Sequence, residues 1–330
     1  MVDTKKGSLI ELKNLSVEFK VRDKKNRKIK AVDQVSLGVA YGKTLAIVGE
    51  SGCGKSTLGR AILHLIPHTG GTIMLNGENL TEKLHKNEKA IRKKMQIVFQ
   101  DPYASLNPRM RVKAIIEEPI CFHNIASGRD AIDKEIEKVM CDCELPTYFK
   151  DRYPHEFSGG QRQRICIARA LASKPDLVVL DEPVSALDVS IQSQIINLLQ
   201  DLQQQRQLTY IFISHDLSVV HHISDRVAVM YLGSLMEVAD KDDLYRNPCH
   251  PYTEALLSAI PVDNPRDKKG HILLRGEIPS ASNLPSGCKF RTRCQYAAEQ
   301  CAIEVPDLRE VAPGHQIACC RYEEIKGSCL

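Results

Sequence analysis

A glycine-rich stretch at residues 49–57 carries the most informative chemistry in the chain. Its Gly-x-x-x-x-Gly-Lys-Ser spacing runs from Gly49 to Ser56. Glycines allow the backbone to close around a phosphate chain, so that successive N–H groups point inward as an anion nest. Lys55 can reach the outer phosphates, and the Ser56 hydroxyl can bind Mg²⁺. The motif predicts a nucleoside triphosphate site made of Gly49, Glu50, Ser51, Gly52, Cys53, Gly54, Lys55, Ser56 and Thr57.

Two carboxylates at the end of an apolar run supply the second candidate group. Residues 177–180 are Leu-Val-Val-Leu, and Asp181 and Glu182 follow. An acid at the carboxyl end of a parallel strand beside a phosphate loop can hold Mg²⁺, which suits Asp181. Glu182 is then placed to polarise a water as a general base. Such a run alone is often only a strand exit, but the phosphate loop upstream favours the catalytic interpretation.

The elements that must position these groups alternate between strand and helix. Residues 44–48 form a short apolar run suited to a buried strand, and residues 56–65 can continue as a helix whose positive end faces the phosphates. Residues 72–75 read as a strand that ends in a tight Asn76-Gly77 turn. Residues 209–213 and 226–231 are further strands, whereas residues 100–164 are richer in helix formers. The pattern indicates an α/β fold with a helical insertion.

A second anion site is predicted where Ser158-Gly159-Gly160-Gln161 precedes a helix that extends to residue 171. Bare backbone at a helix N-terminus attracts phosphate. One chain has no evident need for two γ-phosphate sites. Two chains arranged head to tail do, because each can offer this helix end to the nucleotide held by the other.

Together these motifs resemble the ATP-binding cassette (ABC) ATPases, with Phe157 in place of the leucine of the Leu-Ser-Gly-Gly-Gln signature. The resemblance implies an α/β P-loop NTPase fold with a mixed sheet and a helical subdomain. It implies that Gln100 senses Mg²⁺ and the γ-phosphate, that Asp188 lies in a dimer-contact loop, and that His215 helps to place the attacking water. It also implies that Phe19 stacks on adenine. The implied catalytic set is Glu182, His215, Lys55 and Gln100, with Mg²⁺ bound by Ser56, Gln100 and Asp181.

Composition restricts the remaining classes. The 330 residues carry a net charge of +4, too balanced to predict a nucleic-acid partner, and the basic cluster between residues 20 and 30 reads as a solvated hairpin loop. No apolar run approaches the roughly 20 residues that span a bilayer. The first residues lack the apolar core of a secretory signal peptide. We therefore expect a cytosolic chain whose membrane role depends on a partner.

Cysteines concentrate near the end of the chain, which has twelve in all. In a reducing compartment they predict metal ligation rather than disulfides. Thiolates favour zinc or an iron–sulfur cluster, and the spacing does not choose between the two. The alternative is that the cysteines pack as small hydrophobic residues. The candidate ligands are Cys288, Cys294, Cys301 and Cys319, with Cys320 adjacent to the last.

Residues 247–253, 285–294 and 101–109 extend the resemblance to the ATPase subunits of dipeptide/oligopeptide permeases. It implies an ABC domain over residues 1–240, with a helical subdomain at about 100–165, and a small Cys-rich extension over 241–330. It also implies a [4Fe–4S] cluster on Cys288, Cys294, Cys301 and Cys319, with Cys319 preferred to Cys320. We expect the cluster to be structural, and its loss to leave the distant phosphate loop able to bind ATP.

The resemblance implies an ATPase that powers the import of di- and oligopeptides. It implies that this ATPase is bound at the cytoplasmic face of the inner membrane. Its implied partners are a second ABC ATPase subunit in a homo- or heterodimer, two transmembrane permease subunits and, indirectly, a peptide-binding protein; no nucleic acid is implied. The alternatives are an importer of another cargo, such as nickel or an antimicrobial peptide, a soluble ABC ATPase outside transport, and a metal-sensing regulator.

Overall fold

The computed structural model describes residues 7–20, 28–260, 272–274 and 276–327. These residues form two compact units. The first contains the described residues of 1–11, 38–44 and 73–214, and the second those of 12–37, 45–72 and 215–330. The centre of the basic cluster, residues 21–27, lies outside the described residues, and so does the hairpin loop predicted for it.

The first unit contains three parallel strands in the order β6-β7-β8. They are β6 (Met95–Val98), β7 (Leu177–Asp181) and β8 (Thr209–Ser214). Val98 pairs with Leu180, and Leu180 pairs with Phe212. Every residue of β7 and β8 is buried, as continuous apolar runs in parallel sheets require. Gln100 and Glu182 therefore follow the carboxyl ends of neighbouring strands.

Helices make up most of the rest of this unit. Ile116, Val139 and Ile165 are buried where three of these helices, α4, α5 and α6, pack together. The helices are α2 (Leu80–Lys94), α3 (Pro102–Ser105), α4 (Val112–Phe122), α5 (Arg129–Asp142), α6 (Gly159–Leu171) and α7 (Val189–Arg206), with short 3-10 helices at Thr147–Asp151 and Pro154–Glu156. The helical region expected between residues 100 and 164 is therefore present.

The second unit has strands in the order β3-β9-β10-β12-β11. They are β3 (Thr44–Val48), β9 (Arg226–Tyr231), β10 (Ser234–Asp240), β11 (Arg309–Ala312) and β12 (His315–Ile317). Strands β3 and β9 are parallel, and the later pairs are antiparallel. The sheet is therefore mixed, and the C-terminal residues extend it through the pairing of Glu237 with Ile317.

The helices of this unit are short, and none of the described helices in either unit combines the length and hydrophobicity needed to cross a bilayer. They are α1 (Lys55–Ile62), α8 (Leu217–Ile223), α9 (Lys241–Arg246), α10 (Pro251–Ser258), α11 (Gln300–Ile303) and α12 (Tyr322–Gly327).

A separate sheet has the strand order β2-β1-β4-β5, and three of its strands have residues in both units. The strands are β1 (Ser8–Lys20), β2 (Lys28–Ala40), β4 (Gly70–Leu75) and β5 (Glu78–Asn79). Asn76 and Gly77, between β4 and β5, have φ angles of 55° and 75°. The tight turn predicted from these two residues is confirmed.

Candidate nucleotide site

The phosphate loop lies between β3 and α1, and β3 spans the five residues predicted for it. A Cβ atom added to Gly49 would lie 2.1 Å from the Met230 carbonyl oxygen, and one added to Gly54 would lie 2.1 Å from the Ala31 carbonyl oxygen. Both glycines also have positive φ, 150° and 106°. The loop path therefore requires glycine at these positions for close backbone approach.

Lys55 is almost fully buried at the start of α1. Its ammonium donates hydrogen bonds to the carbonyl oxygens of Gly49 at 2.8 Å and of Glu50 at 3.0 Å. Ser56 and Thr57 follow in the first turn of the helix. The loop thus has its cation beside a helix N-terminus, the arrangement that binds phosphate.

Gln100 and Glu182 meet in the first unit. Gln100 Nε2 donates a 2.9 Å hydrogen bond to Glu182 Oε2. Glu182 adopts a left-handed backbone with φ of 48°, an uncommon conformation for this residue type that is often found at functional positions. Asp181, one residue earlier, is buried at the end of β7. Gln100 and Glu182, which belong to separate sequence motifs, therefore form one polar pair.

The Ser-Gly-Gly-Gln segment begins α6 with a reciprocal cap. Ser158 Oγ accepts from the Gln161 N–H at 3.3 Å, and Gln161 Oε1 accepts from the Ser158 N–H at 3.0 Å. A Cβ atom on Gly160 would lie 2.5 Å from Ile191 Cγ2, and one on Gly159 would lie 3.2 Å from Leu187 Cδ2. The glycines therefore allow this helix end to pack against the first turn of α7 and the loop that leads into it.

That loop contains Asp188, which caps α7 by accepting a hydrogen bond from the Ile191 N–H at 3.1 Å. The Ser190 hydroxyl donates to the same carboxylate at 2.7 Å. Hydrogen bonds from Ser190 and then from the Ile191 N–H lower the pKa of Asp188. The segment that we expect to contact a second chain is thus ordered by its own helix cap.

The other two residues of the predicted set lie in the second unit. His215 is exposed directly after β8, and Asp216 caps α8 by accepting from the Ser218 N–H at 2.8 Å. Phe19 lies near the end of β1 with 45% of its surface exposed, so it is not a core residue. Their roles toward water and adenine stay predictions.

The C-terminal extension contacts the phosphate loop directly. Arg293 donates two hydrogen bonds to the Glu50 carboxylate, at 2.6 and 3.0 Å. The buried Tyr252 hydroxyl accepts from the Glu50 N–H at 3.0 Å. The expectation that the extension is distant from the loop is wrong. These hydrogen bonds join residues that are more than 200 positions apart in the sequence. Nothing in the local pattern around Arg293 or Tyr252 identifies either as a contact of the loop.

The cysteines of the extension gather in one region. Cys301 Sγ lies 3.8 Å from Cys320 Sγ, and the Cys288 N–H donates to the Cys301 carbonyl oxygen at 2.8 Å. Burial, and after it the nearby Cys319 and Cys301, raise the pKa of Cys294 to about 11. A shared pocket of thiols disfavours thiolates unless a cation compensates, so these residues fit a positively charged group.

One pair of these sulfurs has the spacing of zinc ligands, Cys301 and Cys320 at 3.8 Å. Across the described residues, no three of the thiols have sulfur atoms that all lie within 4.8 Å of one another. A tetrahedral zinc with Zn–S bonds of about 2.3 Å needs sulfurs only about 3.8 Å apart. A group that contains several metal ions separates its ligands more widely.

The described residues contain one such compact set elsewhere, Glu237, Cys249 and His315, all buried. Glu237 Oε1 accepts from the Cys249 N–H and from His315 Nε2, each at 2.7 Å, and Oε2 accepts from the His250 N–H at 2.9 Å. A metal ion would have to replace the bond between His315 and Glu237. The set therefore acts as a hydrogen-bonded staple that joins β12 to β10 and the start of α10.

The chain matches two protein families and is similar to curated proteins over nearly its full length. The ABC transporter family matches residues 32–185, and the family described as the oligopeptide/dipeptide transporter C-terminal region matches residues 236–301. The oligopeptide transport ATP-binding protein AppF of Bacillus subtilis is 51% identical over 98% of this chain and 100% of its own length. The chain belongs to the oligopeptide ABC transporter ATP-binding proteins.

Other relatives agree with this membership. The oligopeptide transport ATP-binding protein OppF of Escherichia coli is 47% identical to this ATP-binding protein over 96% of the chain and 97% of its own length. A dimeric structure of the ATP-binding cassette MJ0796 bound to ADP and Pi is 28% identical, with a TM-score of 0.63 over 70% of this chain and 98% of that one. The predicted ABC family and its P-loop fold with a mixed sheet and helices are confirmed.

Proposed function

We propose that this ABC ATP-binding protein hydrolyses ATP to power the import of di- and oligopeptides. The observation that carries the proposal is its similarity, over nearly the whole chain and including the C-terminal region, to proteins named for oligopeptide transport. That similarity favours peptide over nickel as cargo, and it favours transport over a soluble role for the ATPase.

ATP and Mg²⁺ are the cofactors expected of an ABC ATPase, and we assign the residues that bind them from the sequence motifs. Backbone amides of the phosphate loop and Lys55 hold the phosphates, and Ser56, Gln100 and Asp181 bind Mg²⁺. Glu182 acts as the general base on the attacking water, and His215 helps to place that water. Phe19 stacks on adenine. Catalysis is therefore mostly positioning and charge stabilisation.

A second chain completes each site. The helix end at Ser158, Gly159, Gly160 and Gln161 binds the γ-phosphate of the nucleotide held by the partner, and Asp188 contacts that partner. ATP thereby drives dimerisation, because a ligand held between two chains stabilises only the closed dimer. The capped α6 helix with its two glycines supports this role. The dimer pairs two copies or two related subunits.

Closure of the dimer is transmitted to two transmembrane permease subunits, so the protein is peripheral at the cytoplasmic face of the inner membrane. The helical region exposes the aromatic side chains of Tyr103, Phe122 and Tyr148, and we assign the permease contact to this region. A peptide-binding protein acts only indirectly, and no nucleic acid takes part.

We further propose that Cys288, Cys294, Cys301 and Cys319 hold a [4Fe–4S] cluster. The resemblance to the dipeptide/oligopeptide permease ATPases and the gathering of these thiols in one region support the cluster. Cys320, whose sulfur lies 3.8 Å from that of Cys301, is the competing fourth ligand. Such a cluster stabilises a segment that has little apolar core of its own.

Transport is tested by expressing the chain with its permease subunits in a bacterium that lacks peptide uptake. Accumulation of a labelled tripeptide, abolished in the Glu182→Gln variant, supports the proposal. Accumulation of nickel with no tripeptide uptake contradicts it. Identification of the proteins that co-purify from native membranes decides between homodimer and heterodimer.

The cluster is tested by metal analysis of anaerobically purified protein. About four iron atoms per chain and a brown colour are expected. Cys319→Ser should lose the iron and Cys320→Ser should keep it; the reverse result would move the fourth ligand to Cys320. Less than about half an equivalent of iron and of zinc per chain would make these cysteines packing residues.

A further inference from the structure

Glu50, the second residue of the phosphate loop, is held at all of its polar groups. Its N–H donates to the Tyr252 hydroxyl at 3.0 Å, and its carbonyl oxygen accepts from Lys55 Nζ at 3.0 Å. Its carboxylate accepts both hydrogen bonds of the Arg293 guanidinium. Because Glu50 lies within the loop proposed to bind phosphate, contacts that fix Glu50 also fix the path of the neighbouring backbone that would receive the phosphates.

The charge of Glu50 needs such a contact. A carboxylate in a loop that binds a polyanion repels the ligand unless a cation neutralises it. Arg293 supplies the cation in a bidentate geometry, the strongest form of charge-assisted hydrogen bond. Its side chain is only 7% exposed, so solvent screens the pair weakly.

Packing of the extension fixes the position of Arg293. Its backbone N–H donates to the Phe290 carbonyl oxygen at 3.0 Å, and the Phe290 ring packs 5.4 Å from Tyr231 and 5.2 Å from Tyr252 between ring centroids. The guanidinium itself lies 6.0 Å from the centre of the Tyr231 ring. A buried aromatic cluster therefore holds the turn that presents Arg293 to the loop.

We propose that Arg293 is a positioning residue for ATP, which acts through Glu50 to set the nucleotide affinity of the phosphate loop. This inference rests on the proposed role of residues 49–57 in binding phosphate. Since Arg293 directly precedes Cys294, the cysteine-rich segment and the nucleotide site are physically joined. The extension is then part of the nucleotide-binding apparatus.

The test uses the purified full chain and the steady-state ATPase reaction. Arg293→Gln should raise KM for ATP at least about fivefold, the lower end of coupling between linked sites. The kcat at saturating ATP should stay within about twofold, because the general base is untouched. Arg293→Lys should give a smaller rise in KM, since it keeps the charge but not the bidentate geometry. Arg291→Gln is the matched control, because Arg291 hydrogen bonds to Ser286 and should leave KM unchanged.

A double-mutant cycle shows whether Arg293 acts through Glu50. In a Glu50→Gln background, Arg293→Gln should change KM by less than about twofold, because no carboxylate remains to neutralise. An equal change in KM in both backgrounds, or no change in either, would overturn the proposal. A fall in melting temperature with KM unchanged would reduce Arg293 to a structural residue. Should Arg293→Gln fail to fold, Arg293→Lys and the double variant decide the question by the same KM criteria.

A separate variant distinguishes this inference from the proposed function. Lys55→Ala should abolish ATP binding whether or not Arg293 matters. Loss of binding in Lys55→Ala with a normal KM in Arg293→Gln would reject only the role of Arg293. Unchanged ATP binding in Lys55→Ala would reject the phosphate-loop assignment itself.

Discussion

Gln100 Nε2 donates to Glu182 Oε2 across 2.9 Å, and the two residues are 82 positions apart in the chain. Each follows the carboxyl end of a strand, and those strands, β6 and β7, are parallel neighbours. This hydrogen bond orients the carboxylate of Glu182, the proposed general base. Its donor is Gln100, the residue proposed to sense Mg²⁺.

Replacement of Glu182 by Gln should keep ATP binding and slow turnover at least about 100-fold, the share that a positioned base contributes. The ATP-bound dimer should then accumulate, which size-exclusion chromatography with ATP would detect. Glu144→Gln is the control, because this glutamate is an exposed ion-pair partner of Arg164. A Glu182→Gln rate near that of the wild type would remove Glu182 from the base role.

Lys55→Ala and Ser158→Arg should fail at different steps. Lys55→Ala removes a positive charge from the phosphates, so nucleotide affinity should be lost. Ser158→Arg alters the helix end offered to the partner, so each chain should still bind ATP but hydrolysis should fall to background. Equilibrium binding of a fluorescent ATP analogue separates these outcomes. The same loss of binding in both variants would argue against a nucleotide shared by two chains.

Gly160→Ala should destabilise the contact between α6 and the first turn of α7, because the added Cβ meets Ile191 Cγ2 at 2.5 Å. Overpacking of this kind costs about 1–3 kcal/mol. We expect a lower midpoint of urea unfolding and a lower ATPase rate. Ile191→Ala in the same chain removes the obstructing methyl group and should restore part of both. An unchanged midpoint in Gly160→Ala would show that the Ile191 side chain can move aside freely.

The staple around His315 should make stability depend on pH. The Cys249 thiol and then Glu237 raise the pKa of His315 to about 10, well above its ordinary value of 6.5. Between these two values the folded protein binds more protons than the unfolded chain, so stability falls as pH rises through this range. The melting temperature of the wild type should therefore drop by several degrees between pH 7 and pH 10.

The control for this prediction is His315→Gln, which keeps a hydrogen-bond donor for Glu237 but does not titrate. Its melting temperature should be lower at pH 7 and should change less toward pH 10 than that of the wild type. Parallel curves for the two proteins would show that His315 carries no charge in the folded state.

The sequence alone determined the motifs and the strands that present them. Strands β3 and β9 have the bounds predicted from their apolar runs, because a strand buried on both faces must be apolar throughout. The phosphate loop was equally predictable from the sequence, because its backbone follows a path that requires glycine. Helix α1 is the local exception: it ends at Ile62, before the predicted Leu65.

Tertiary structure alone decided which polar groups meet. Arg293 and Glu50 are 243 residues apart, and His315 and Glu237 are 78 apart. No local periodicity marks such pairs, because each depends on the register of a strand or on a turn anchored by side chains from elsewhere. The expectation that the extension lies far from the phosphate loop was wrong for this reason. Hydrophobic pattern and backbone conformation act over a few residues, whereas charge pairing inside the protein depends on how distant segments pack.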